Sequence, residues 1–439
     1  MGRCSLYLLV VVLGLAPGSA HAFGRSAPKR PCAVTIKQAQ PERYRSMIAD
    51  ADLARSTLLP DASIKNQNKY GCCWISSTLG KWERIAEKKF GHSIVLSENH
   101  MVLASLFYRV REGIYFGSEV IQGGWQESAD WMAMFMGLVP EKACKWKVDL
   151  RVDGERIVKE LNQKIADYQK ELVGMHARRA SAETVWKFSQ ETKTKILREL
   201  RDEVGNFPKS FVVDGKTYTP YSFARTLADA EDEMVRVRYE PIEERVPRLP
   251  SDDEEIVKEE RGLFKLYPEL GRTLESMSPK FSGAENEDLY ERIRLYGKTH
   301  LSGLTLSTSG GRPVNQVLDA GYREEKVSLE KMRERIDESI AAGNPVLLST
   351  SMVHEYYRSE TGVMSLRAHG ATPADAKNAK FKGGHAMLVT GVYRNRYGEV
   401  VGYRIQNSWG ANSGVGGYYL MDADYFNAFV TGIVVKSKT

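Results

Sequence analysis

Apolar residues recur every three or four positions through Trp74 to Lys88, at Ile75, Leu79, Trp82 and Ile85, which is the stripe of a half-buried helix. Gly91 follows where a left-handed residue commonly ends a helix, so the spacing predicts a helix that opens at Cys73. Runs of the same kind from Ser97 to about Arg111 and from Gln126 to Gly137 complete an α-rich first lobe. From Asp153 to about His300 the chain becomes strongly charged. Ile157, Leu161, Ile165, Tyr168 and Leu172 share one helical face there, and Val185, Ile196, Leu200 and Val204 share another that ends at Gly205. Such stripes face a core. The acidic run Asp252 to Glu255 reads as a solvated helix start.

After Gly310 a last amphipathic helix carries Leu329, Met332, Ile336 and Ile340, and Gly343-Asn344-Pro345 leads into an apolar strand from Val346 to Leu348. His385 to Val392 and Val400 to Asn407 are apolar, β-branched runs joined by a turn around Asn395 and Gly398, a hairpin signature. His385 and Asn407 are therefore expected on neighbouring strands. Phe23 to Asp61 is a polar, Pro-punctuated lead-in, and no repeat of fixed period is present.

The composition narrows the function classes. With 439 residues and 42% hydrophobic content, the chain is long enough to bury one large core or two smaller ones. A net charge of +6 is small beside 62 basic and 56 acidic residues, and no basic block interleaved with aromatics argues for nucleic acid as a partner. The first 22 residues carry Arg3, an apolar run Leu6 to Leu15, a Pro17-Gly18 break and the small residues Ala20 and Ala22. That is a cleavable export signal, too short to span a hydrocarbon core of roughly 30 Å. No later apolar run reaches the roughly 18 residues a membrane helix needs, so a secreted or periplasmic protein, off the membrane after cleavage, is expected.

Removal of the signal takes Cys4 with it and leaves Cys32, Cys72, Cys73 and Cys144. If Cys73 stays free with Cys72 beside it, Cys32 and Cys144 are the candidates for one structural bridge, although spacing alone fixes no connectivity. None of the histidines, His92, His100 and His354 among them, has metal-ligand spacing. No metal and no cofactor is expected.

A thiol attacks only as thiolate, so something must lower its pKa. A helix N-terminus offers partial positive charge, and an imidazole that takes the proton offers a full one. An amide side chain can hold that imidazole in one tautomer. The tetrahedral intermediate then needs N–H donors, a backbone one at the nucleophile and a side-chain amide. The sequence order Gln67, Cys73, His385, Asn407 supplies each role once.

These residues sit in segments that resemble the papain family of cysteine peptidases. Lys65 to Trp74 places Gln67 six residues before Cys73 and Trp74 directly after it. Gly384-His385-Ala386 and Asn407-Ser408-Trp409-Gly410 are similar to the family's His and Asn segments, and Leu96-Ser97-Glu98-Asn99 and Gly123-Gly124 to two further landmarks. The resemblance implies an α+β, papain-like two-lobe fold, with Cys73, His385, Asn407 and Gln67 catalytic and Gly123, Gly124, Gly384 and Trp409 lining the substrate cleft. Trp409 is expected mainly to shield the His–Asn hydrogen bond.

His385 lies 312 residues after Cys73, against roughly 130 to 150 in short papain-like enzymes, so an insertion is required. The charged helices fit it, and they resemble the bleomycin hydrolase and aminopeptidase C branch. Gly215 to Phe223, Ala342 to Val346 and Asp422 to Phe426 resemble that branch too. The implied division is a signal at 1–22, a lead-in at 23–61, an α lobe at 62–150, a helical insertion at 151–300 and a β lobe at 301–439. A peptide or protein substrate and a homo-oligomer are also implied.

Cys72 stands where the branch has a basic residue, and Tyr70 and Ile121 stand where secreted papains carry a disulfide. The chain also stops at Thr439, soon after the strand Ile433 to Lys436, where the branch carries a tail that restricts cleavage to free N-termini. An endopeptidase or a relaxed aminopeptidase is the expectation from this difference. Two alternatives stand beside it: a silent binding protein with an oxidised Cys72–Cys73 pair, and an acyl transferase or non-peptide amide hydrolase using the same dyad.

Overall fold

The computed structural model describes residues 51–228 apart from Leu53, then 234–239, 323–380 and 383–436. The export signal, Cys32, the lead-in before residue 51, the acidic run at 252–255 and the expected helices from 240 to 300 lie outside the described residues. The strand β1 (Thr57–Leu58) is followed by helices α1 (Cys73–Phe90), α2 (Glu98–Phe116) and α3 (Gln126–Phe135). Next come α4 (Leu150–Ala177), α5 (Ala182–Val204), a hairpin of β2 (Phe211–Val213) and β3 (Lys216–Tyr218), α6 (Pro220–Leu227) and β4 (Met234–Tyr239). After β5 (Arg323–Val327), α7 (Leu329–Ala341) leads to β6 (Val346–Ser351), β7 (Tyr357–Arg358) and β8 (Val363–Met364). The close is β9 (Gly384–Arg394), β10 (Val400–Gln406), β11 (Tyr418–Asp422), α8 (Ala423–Phe429) and β12 (Val430–Lys436).

Each helix starts and stops where local chemistry dictates. Gly91 ends α1 in the left-handed conformation at φ 77°, its N–H returning to Glu87 O. Ser97 caps α2 by accepting from His100 N, Asp149 caps α4 through Arg151 N, and Ser181 caps α5 through Thr184 N. Helices α1 and α3 are exceptions: Cys72 and Trp125 at their N-caps make no side-chain cap bond. At α1 the N–H groups of Ile75 and Ser76 return to Cys72 O, and that of Trp74 faces the Cys73 sulfur.

The helices share one core, in which Ile75 and Leu79 of α1 meet Leu103 and Leu106 of α2 and Ile157 and Leu161 of α4. Gly113 lets α2 and α4 close up, since a Cβ there would lie 2.4 Å from Ile165. The strands bury a second core of Leu348, Met387, Ile405, Tyr425 and Phe426. Ala386 of β9 belongs to the helical core, not to the strand one. At the same junction a Cβ on Gly80 of α1 would lie 3.3 Å from the Leu388 side chain. Close contact of α1 with β9 is what brings the two lobes' functional residues together.

The sheet runs β5-β4-β12-β6-β9-β10-β11-β8-β7, with β1 also on β9. Neighbours β9 and β10 pair antiparallel, Gln406 opposite Leu388 and Tyr403 opposite Val392, across the turn closed by Gly398 N to Asn395 O. This is the hairpin expected from the pattern.

The β4 strand corrects the reading of 151–300 as a helical insertion. Met234–Tyr239 pairs antiparallel with β12 and parallel with β5, so the insertion returns a strand to the β lobe. Its Val235-Arg236-Val237-Arg238 alternation has the period of a strand, and ladder bonds offered by β12 complete it.

Two ion pairs are buried in the α lobe. Lys65 pairs with Glu83, and Lys81 Nζ lies 2.5 Å from Asp130 Oδ2, whose Oδ1 accepts from Trp82 Nε1 at 2.6 Å. Removing one partner of a buried pair leaves a charge without its counter-ion. Lys81→Met is expected to lower stability by about 3–5 kcal/mol in denaturant unfolding, with Lys81→Met/Asp130→Leu regaining most of it. Equal stability of the single variant and the parent would show that the pair holds nothing.

Candidate active site

Cys73 is the first residue of α1 and only partly exposed, facing β9 of the opposite lobe. Burial alone pushes its thiol up. The His385 charge, a hydrogen bond with His385 and the N–H groups of Ala386 and Trp74 outweigh that effect, and the net pKa lies below the ordinary thiol value. His385 is the second residue of β9 and is buried. Burial pulls its imidazole down, but the charge of Cys73, its hydrogen bond and a bond to Asn407 turn the net shift upward. Thiol down and imidazole up are the shifts by which each group favours the other's charged form.

Asn407 fixes which ring nitrogen meets the sulfur. Its Oδ1 accepts from the backbone N–H of Ser408 at 2.8 Å and lies 2.7 Å from His385 Nε2. A backbone N–H can only donate, so the atom facing both groups is the oxygen, and Nε2 must carry its proton. Nδ1 is left for Cys73. Trp409 covers the pair, stacked on the His385 ring at 4.8 Å and 26°.

Gln67 is held on the same strap of chain. Its N–H donates to Ser408 O at 2.8 Å, and its Oε1 accepts from Ser408 Oγ at 2.6 Å. The Tyr70 carbonyl can only accept, so the atom 3.1 Å from it is Nε2, whose second N–H is left for another acceptor. Ser408, a residue given no role by the sequence reading, thus orients both Asn407 and Gln67. It lies inside the quoted Asn407–Gly410 segment, where the order of polar residues was the only signal.

Gly123 and Gly124 divide in their reasons for being glycine. A Cβ on Gly123 would meet nothing within 4 Å, whereas one on Gly124 would lie 2.6 Å from the Trp74 ring. Gly124 is therefore a packing requirement, and Gly123 is open surface. Gly384 opens β9 and is exposed.

Three cysteines fall among the described residues, and all are free. Cys72 turns away from Cys73 into the core, its Sγ 3.9 Å from Ser76 Oγ, and burial first and Glu98 second push its pKa well up. The oxidised Cys72–Cys73 pair of the silent alternative is absent. Cys144 likewise carries a free thiol near Pro140 O, and its pKa is pushed up to about 11, chiefly by burial. The expected bridge to Cys32 is not formed at Cys144, and Cys32 itself lies outside the described residues. Among the described residues no group of three or more His, Cys, Asp or Glu is placed to hold a metal ion.

Parts of the chain are similar to known proteins. Residues 314–439 match the model of the Peptidase C1-like family. The crystal structure of pepw from Lactobacillus rhamnosis superposes with a TM-score of 0.60 at 16% identity, over 89% of this chain and 84% of that one. The fold is therefore papain-like. The sequence is also similar to Aminopeptidase E of Lactobacillus helveticus, 44% identical over 54 residues. That match spans 12% of this chain and 12% of the curated relative.

The two shifts set a pH test. Because Cys73 is lowered and His385 raised, the thiolate forms below the ordinary thiol range and persists as pH rises. Iodoacetamide should alkylate Cys73 at pH values where a free thiol of pKa about 8.5 is largely protonated. In His385→Gln the inflection should move upward, past the parent's. An unchanged profile in the variant would remove His385 as the cause.

Proposed function

We propose that this protein is a cysteine peptidase in which Cys73 is the nucleophile, His385 the acid–base, Asn407 the group that orients His385 and Gln67 an oxyanion donor. The observation that carries the reading is the tautomer forced by Asn407 Oδ1, which turns the second imidazole nitrogen to a sulfur at a helix N-terminus. The Cys73 thiolate adds to the scissile carbonyl, and the oxyanion takes N–H bonds from the Cys73 backbone and the second Gln67 Nε2 proton. His385 then protonates the leaving amine, and a water deprotonated by His385 hydrolyses the thioester. Trp409 keeps solvent off the Nε2–Oδ1 bond, and the open face at Gly123 leaves room for substrate backbone.

The free Cys72 and Cys73 thiols favour this reading over a silent binding protein. We further propose that residues 1–22 direct export and are removed, so that the secreted or periplasmic chain begins at Phe23; N-terminal sequencing of the secreted form reads this directly.

The experiment is a peptide-library digest by the mature protein. Cleavage is expected with the parent and none with Cys73→Ala, while Gln67→Ala should lose about 10²–10³-fold in kcat. Products carrying a transferred acyl group in place of free acid would favour the acyl transferase. Intact peptides with an alkylatable Cys73 would reject peptidase activity.

A further inference from the structure

The loop at 117–124 and the loop that leads into Cys73 run side by side, and no disulfide joins them among the described residues. Gln122 joins them by hydrogen bonds instead. Its Oε1 accepts from Gly71 N at 2.8 Å, and its backbone O accepts from Trp74 Nε1 at 3.1 Å. One residue therefore holds the chain two positions before Cys73 and one position after it. Next to it, Arg109 Nη2 donates to Gly123 O, with its guanidinium 6.0 Å from the Trp74 ring.

The insertion grips the same two loops from outside. On α4, Asn162 Oδ1 accepts from Val120 N at 2.7 Å and its Nδ2 donates to Val120 O at 2.9 Å, pairing with that peptide as a neighbouring strand would. Eight residues earlier on the same helix, Gly154 lies so close to Tyr70 that a Cβ would stand 2.5 Å from its ring. Gln169 of α4 also donates to Gly117 O at 3.3 Å. One rigid helix thus touches the residue before Gly71 and the residue two before Gln122.

We propose that Gln122 is a positioning residue that fixes the glycine strip Gly123–Gly124 against the nucleophile loop, and that Asn162 of the insertion holds Gln122's loop in place for it. This rests on the peptidase reading and assigns the insertion a part in substrate binding. An exposed strip with two adjacent glycines is free to wander. Ordering it only when substrate binds costs affinity. Gripped from both sides, it is ordered beforehand.

The two residues separate in their effects. Asn162→Leu frees the strip but leaves Gly71 and Trp74 on Gln122, so KM for extended peptides should rise about tenfold, a loss of about 1.4 kcal/mol of binding. The alkylation rate of Cys73 by iodoacetamide should stay unchanged. Gln122→Leu removes the acceptor for Gly71 N, so kcat should fall as well and hydrogen exchange at the Gly71 amide should speed up. Gln122→Glu keeps a carboxylate acceptor and should restore both. All variants are compared at equal folded fraction by circular dichroism, with Gln122→Met in place of Gln122→Leu if the latter does not fold. The proposal is overturned if Gln122→Glu behaves like Gln122→Leu, or if Asn162→Leu lowers kcat with KM unmoved. Hydrogen exchange and alkylation read the clamp without any substrate, so a parent that cleaves nothing would sink the peptidase reading and leave this test standing.

Discussion

The backbone N–H of Ser408, bonded to the side-chain oxygen of Asn407, decides the chemistry of the site. It is a donor that cannot change roles, so it fixes the amide, the amide fixes the imidazole tautomer, and the imidazole presents a basic nitrogen to Cys73. A side-chain donor would have been free to flip. The β9–β10 pairing makes this possible, with Gln406 opposite Leu388 bringing Asn407 alongside His385.

The other half of the site comes from the helical lobe, and its arrival depends on packing. Gly80 lets α1 approach Leu388 and Ala386 joins the helical core, which sets the sulfur against the imidazole. Charge works against burial here: each group shifts the other toward its charged form, the thiol down and the imidazole up. Cys72, one residue away, shows the contrast. It is fully buried, where Cys73 is partly exposed, and has Glu98 for a neighbour in place of an imidazole, so its thiol is held protonated.

Much of this was legible in the sequence where the signal is local. The stripe on α1 and its Gly91 stop, the β9–β10 hairpin and the order of Gln67, Cys73, His385 and Asn407 all depend on neighbours within a few residues. What escaped was long-range. Nothing in Met234 to Tyr239 names β12 as its partner, and a short strand among charged helices was absorbed into them. The sequence reading took both glycines as open to substrate, but Gly124 answers to the Trp74 ring, 50 positions away in the chain. Ser408 and Gln122 are ordinary polar residues whose roles exist only once two loops meet.

The placement of β4 and β5 carries a consequence for how this chain can vary. Both strands lie at the far end of the sheet, with β12 and β6 between them and the His385 strand. Changes that loosen β4 or β5 would therefore act two strands or more away from the register on which the imidazole depends, so that end of the sheet can vary while the β9–β10 pairing holds.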